Sequence, residues 1–277
     1  MNSQLDLSFD TPEPIDLYVE NGRGLVDVTA TDTTETTVRI TGDRAEEFDV
    51  RDLGDRIAII APPRSGGFLG RDPRAEVVVE VPVASGLQVK VGSSDVAVHG
   101  RTSDIRVDSG SGDVSLDVVE GDAVVQTGSG DVVAEHLVGE AHLKSGSGDV
   151  VVRRAESALV VTTGSGDVRV ESARDDLAVK TGSGDARVLS LGSEAVFTTG
   201  SGDLVVDEVA AGRITAKTAS GDVRIGVVPG TPVWTDVRTA SGRLTSTLAG
   251  TGEPAPDQPY LEVRATTASG DVTLHQS

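Results

Sequence analysis

The chain has 277 residues, of which 37% are apolar but only 3% aromatic, and it carries 33 glycines. Rings supply much of the bulk of ordinary globular cores, so a core built from Val, Leu, Ile and Ala must be thin. The formal charge of −20 repels phosphate backbones and anionic lipid, which argues against nucleic-acid and membrane-surface binding, and the lack of cysteine removes disulfides, thiolate metal sites and thiol catalysis together.

At the start of the chain, MNSQLDLSFDTPEP has neither the basic start nor the apolar run of a signal peptide, and no later segment reaches membrane-spanning length. With a native N-terminus the expected location is the cytoplasm. LYVENGRGLVDV (17–28), TTVRI (36–40), RIAII (56–60) and AEVVVEVPV (75–83) follow as strand-like stretches. DRAEEFDVRDLGD (43–55) and PPRSGGFLGRDPR (62–74) between them read as loops. Residues 1–86 are therefore expected to form irregular β-rungs that also act as a cap, since terminal repeats are commonly atypical.

From residue 87 the chain falls into rows of 18, such as LVVTTGSGDVRVESARDD and LAVKTGSGDARVLSLGSE. The ninth column reads Asp95, Asp113, Asp131, Asp149, Asp167, Asp185 and Asp203 without an insertion. Later rows carry Asp222, then Arg243 in the Asp column, then Asp271, at intervals of 19, 21 and 28. Columns 1, 3, 10 and 12 are mostly aliphatic and their neighbours polar or mixed, the period-2 signature of two short strands with one buried face. The G-S-G between them predicts a tight turn that uses the freedom of glycine at positive φ. An aliphatic residue every six positions fails at the Asp column, and a nonapeptide roll would need its glycine-rich turn twice per row. The unit is 18 residues, and the reading is an all-β, single-stranded β-solenoid, preferably right-handed, with 87–277 as its regular part and the whole chain one continuous structural domain.

The recurrent V-x-T-G-S-G-D-V-x-V, behind the V-E-N-G-x-G-x-V-x-V of Val19–Val28, resembles the bacterial putative-adhesin family of β-strand-repeat domains over nearly the whole chain. The resemblance implies a solenoid. The family's name also implies export, for which the N-terminal stretch gives no support.

The Asp column reads in two ways. A ladder of carboxylates is a candidate for Ca²⁺, but an Asp that closes its own turn by accepting backbone N–H groups needs no metal, and this is the favoured reading. Arg169, Arg187 and Arg224 lie two residues beyond an Asp and are placed to offset repulsion along the column. The Thr/Ser column (Thr127, Ser145, Thr163, Thr181, Thr199, Thr218, Thr239, Thr267) shares the inward face, which favours a buried hydroxyl ladder over an ice-binding array. His99, His136, His142 and His275 sit on separated rungs and form no cluster. No nucleophile–base pair or phosphate loop is present, and no catalytic residue, metal or cofactor is assigned.

The late excursions VVPGTPVW (227–234) and LAGTGEPAPDQPY (248–260) carry Trp234 and Tyr260, an aromatic pair suited to a partner side chain or to covering the coil. The last row, TTASGDVTL (266–274), is followed by three residues, so its Val272 and Leu274 are expected at an open end able to pair with a second copy. The functional expectation is a non-catalytic scaffold or protein-interaction module, with a protein or the chain itself as partner and an end-on homodimer as one form. A carbohydrate-binding or adhesin-like β-helix using the 227–260 loops is the alternative, and a calcium-stabilised surface protein a third.

Overall fold

The computed structural model describes residues 3–63, 72–250 and 258–277. The expected loop at 62–74 lies mostly outside these residues, as does much of 248–260. Among the described residues there is no α-helix; Ala45–Glu47 forms a single 3₁₀ turn. Contacts divide the chain into two compact units, Met1–Gly139 and Glu140–Ser277.

The first unit holds β1 (Ser3–Asp10), β2 (Asp16–Thr31), β3 (Glu35–Gly42), β4 (Asp49–Asp52), β5 (Arg56–Ile60), β6 (Arg74–Pro82), β7 (Gly86–Thr102), β8 (Ile105–Ser109), β9 (Val114–Val119), β10 (Ala123–Thr127) and β11 (Val132–Leu137). The long β2 lies between β7 on one side and β5 with β6 on the other, all parallel. Beyond β7, the pair β8/β9 and then β10/β11 stack at 18-residue offsets, save for an irregularity between Val98 and Arg101, after which β7 pairs with β9 at an offset of 17. Towards the N-terminus the direction reverses: β3 runs antiparallel to β6, β1 to β3, and β4 to β5. The stretch 43–55 is thus more than a loop, because Val50 pairs opposite Ile59 in β4/β5.

The second unit holds β12 (Ala141–Ser145), β13 (Val150–Ala155), β14 (Leu159–Thr163), β15 (Val168–Ala173), β16 (Leu177–Thr181), β17 (Ala186–Leu191), β18 (Ala195–Thr199), β19 (Leu204–Val209), β20 (Gly212–Lys217), β21 (Val223–Val227), β22 (Val233–Thr239), β23 (Leu244–Ser246), β24 (Leu261–Thr267) and β25 (Val272–Gln276). Each rung contributes two strands, and each strand pairs in parallel with its equivalent one rung away, as in Leu159↔Leu177 and Val168↔Ala186. This is the stacked β-solenoid that the 18-residue period predicts.

The core contains the expected columns 1, 3, 10 and 12 and one more. Column 15 (Val119 and Leu137 in the first unit; Ala155, Ala173, Leu191 and Val209 in the second) is also buried. Columns 13 and 14 both lie on the outside or at half-depth, so the alternation breaks there and the chain turns a corner that brings column 15 back inward.

The glycines of the G-S-G turn owe their place to crowding and not, as the sequence suggests, to positive φ, which occurs elsewhere, at Gly24 and Gly100 for example. A Cβ on Gly184 would lie 1.9 Å from the carbonyl oxygen of Gly166 one rung below, and one on Gly166 2.0 Å from that of Gly148. Only a residue without a side chain lets successive turns close to the inter-strand spacing, about 4.8 Å. The buried hydroxyl column completes the turn: Thr181 Oγ1 accepts the N–H of Gly184 (2.9 Å) and donates to the carbonyl of Gly166 (3.5 Å).

Candidate interaction surface

The Asp column forms a ladder that runs between rungs. Asp Oδ1 accepts the backbone N–H of the same column in the next rung and not, as expected, of its own turn. In the first unit Asp113 N–H donates to Asp95 (3.1 Å) and Asp131 N–H to Asp113 (2.9 Å). In the second, Asp167, Asp185 and Asp203 donate in turn to Asp149, Asp167 and Asp185, each at 2.8 Å. These carboxylates are occupied in holding the stack together, and among the described residues no group of three or more His, Asp or Glu is arranged to hold a metal ion. Of the three arginines expected to screen the column, Arg224 reaches Asp222 (2.8 Å), while Arg187 pairs with Asp207 (2.9 Å) and Arg169 with Glu171 (3.8 Å). His99 lies between Asp117 (3.5 Å) and Asp27 (4.0 Å).

Followed to its end, the ladder gives the order of the last rungs. Asp222 N–H donates to Asp203, Asp271 N–H to Asp222, and Arg243 N–H to Asp271. The strand pairings agree: β24 lies between β20 and β22, and β25 between β21 and β23. The last rung of the sequence is therefore inserted below the one that precedes it. Val272 and Leu274 are core residues, 0% and 1% exposed, and do not form an open end. The excursion that reads as loop from 227 to 234 enters a rung, β22/β23, and among the described residues of the second unit no rung follows it in space. Arg243 fits this position. Its amide is capped by Asp271, and among the described residues no further amide follows in its column to call for a carboxylate.

The terminal rung differs in character from those beneath it. Its inward positions, set by the register against Leu261, Val263, Ala265, Thr267, Val272 and Leu274, are Val233, Thr235, Val237, Thr239, Leu244 and Ser246. Leu244 is 48% exposed although it points along the core column, and Thr235 and Ser246 replace aliphatic residues with hydroxyls. On the outer face Trp234 is 50% exposed and Tyr260 47%.

Beside them sits a nearly buried carboxylate, Glu262. It accepts from Arg213 Nε (2.7 Å) and Arg264 Nε (2.6 Å), and Arg213 also lies 3.5 Å from Glu194. The Arg213 guanidinium, with Arg264 assisting, holds Glu262 below the usual carboxylate range against the opposing pull of burial. Arg264 in turn lies over the Trp234 ring, 5.9 Å from its centre, a cation–π distance. Register places Arg213, Glu262 and Trp234 side by side on successive strands. The structure thus positions Trp234 on a rigid charged platform, with Tyr260 at the adjoining strand entry, while Val272 and Leu274 lie beneath. Glu262 and Arg213 do not stand out in the sequence because 49 residues separate them, and Arg264, two residues from Glu262 on the same strand, meets Trp234 from the neighbouring strand.

The Toastrack model, DUF4097, matches residues 15–195 and again 172–277. The chain belongs to the Toastrack family. Solved structures similar to this Toastrack chain include a putative adhesin from Bacteroides fragilis (12% identity, 98% of this chain and 97% of that one, TM-score 0.38). Others are a putative lipid binding protein from Parabacteroides distasonis (12%, 98% and 96%, TM-score 0.46) and a putative adhesin from Parabacteroides merdae (13%, 99% and 95%, TM-score 0.35). No curated protein matches. No helix among the described residues is long and apolar enough to cross a membrane.

Proposed function

We propose that this Toastrack protein is a non-catalytic scaffold that engages a protein partner through the terminal rung Val233–Ser246. The observation that carries this reading is the outer edge of β22/β23. Among the described residues β22 pairs only with β24 and β23 only with β25, whereas the rung beneath, β24/β25, is paired on both sides. An unpaired edge next to an exposed Trp and a half-exposed Leu is a template for a further strand, and proteins normally cover or blunt such edges. Trp and Arg, which cluster here, are the residues most enriched where binding energy concentrates.

The test places a photo-crosslinking residue at Trp234 or Leu244, and in parallel at the mid-stack outward positions Thr162 and Val196, in the organism of origin. Adducts to protein from the two terminal-rung sites and not from the mid-stack sites are expected. Equal labelling from all four positions, or none from the terminal rung, contradicts the proposal.

A further inference from the structure

We infer that the partner of this edge is a second copy of the chain, paired antiparallel across β22 about a two-fold axis through Val237. This rests on the reading of the terminal rung as an interaction surface and adds to it the occupant and the register.

Backbone parity limits the choices. The amide of Leu261 donates to the carbonyl of Pro232 (2.9 Å), so the even-numbered peptide groups of β22 face β24. The N–H and C=O of Val233, Thr235, Val237 and Thr239 therefore face outward, since groups alternate along a strand. A two-fold antiparallel pairing must set these odd positions opposite one another. Centred on Asp236, it would oppose Asp236 to Asp236, an uncompensated like-charge contact. Centred on Val237, it opposes Asp236 to Arg238 twice, Trp234 to Ala240, and Thr235 to Thr239. The Asp–Arg contacts then fall at non-hydrogen-bonded pairs, where cross-strand side chains come closest. Within one copy Asp236 and Arg238 already lie together at 3.2 Å on the outer face, so neither must be drawn from the core to meet its counterpart.

Charge favours the same occupant. The chain carries −20 overall, yet the charged residues of 233–246 are one Asp and two Arg, so two copies meeting at the terminal rung do not bring acidic strands together. A second copy stacked head-to-tail in parallel is disfavoured by Arg243, which offers no carboxylate to cap an incoming amide. The antiparallel arrangement does not require one. It also sets the half-buried Val237 against its own counterpart.

The full chain in sedimentation equilibrium from about 10 μM to about 1 mM should show reversible dimerisation, weak because a single edge strand buries a small interface. Asp236→Arg and Arg238→Asp should each raise the dissociation constant at least about tenfold, and the double exchange should return it to within about threefold of the parent. The chain has no cysteine, so single substitutions report the register. Val237→Cys should form an intermolecular disulfide on oxidation, at a Cα separation of about 5.5 Å, and Asp236→Cys should not. A parent monomeric at about 1 mM overturns the self-pairing, and if Trp234 still crosslinks another protein the interaction reading survives it. Dimerisation unaffected by either single reversal, no recovery in a folded double exchange, or a disulfide at 236 and not at 237 overturns the register.

Discussion

Replacing Gly184 by Ala tests whether rung spacing depends on the eighth column. The new Cβ would lie 1.9 Å from Gly166 O, 2.5 Å from Gly166 C and 3.0 Å from Thr181 Oγ1, and none of these is the free end of a flexible side chain. To restore an ordinary contact the turn must lift by more than about 1 Å, which carries neighbouring bonds such as Gly182 N–H to Gly164 O (3.0 Å) and Gly184 N–H to Thr181 Oγ1 (2.9 Å) out of range. Losing two or three hydrogen bonds at about 1 kcal/mol each, plus overpacking, gives a cost of about 3–4 kcal/mol. Gly182→Ala is the control. Its Cβ would meet Gly164 O at 2.4 Å, but the same column holds Ala219 in a later rung, where the amide still reaches Gly200 O at 3.2 Å. Its cost is expected at about 1 kcal/mol or less. Urea unfolding followed by circular dichroism measures both. Equal midpoints for the two variants would refute the argument that column eight, glycine in every row from Gly112 to Gly270, is closed to a side chain while column six is not.

Val161→Asp buries an unpaired charge at a position 0% exposed and should cost more than about 4 kcal/mol, whereas Thr162→Lys on the outer face should stay within about 1 kcal/mol in the same urea assay. Val272→Lys should destabilise the second unit by about 3–5 kcal/mol and expose it to proteolysis, because Val272 is enclosed between Val223 and Leu244; a fully stable variant would contradict the insertion of the last rung. Glu262 has a folded-state pKa depressed by Arg213 and Arg264, so its stabilisation is present above the unfolded value and lost as pH falls through the folded one. The gap between parent and Glu262→Gln should be widest near neutrality and narrow below about pH 4, and a gap independent of pH would remove the ion-pair explanation.

The repeat made the strands, the inward columns and the stacking legible, because an 18-residue period with alternation admits few other folds. What escaped has local causes. Column 15 is visibly aliphatic at Val119, Leu137 and Leu191, but strict alternation from column 12 does not lead to it; only the corner at columns 13 and 14 does. β1 was signalled by Leu5, Leu7 and Phe9 at alternate positions, a pattern too short to stand out without its partner β3. The role of the glycines depends on the rung below, which no single row contains. Trp234 and Tyr260 could be singled out by rarity. The rung order could not follow from chain order, although Arg243 in an otherwise acidic column was its trace.

The most direct test of the account is the order of the last three rungs, read by paired cysteines at Arg224, Thr273 and Thr245, one outward column on β21, β25 and β23. Neighbouring in-register strands place Cα atoms about 4.8 Å apart, within disulfide reach, and strands two rungs apart exceed it. Oxidation should crosslink 224 with 273 and 273 with 245, and leave 224 and 245 free. A ready crosslink between 224 and 245, with none between 273 and 245, would mean that the rungs stack in chain order and that the exposed end lies at Val272 and Leu274 after all.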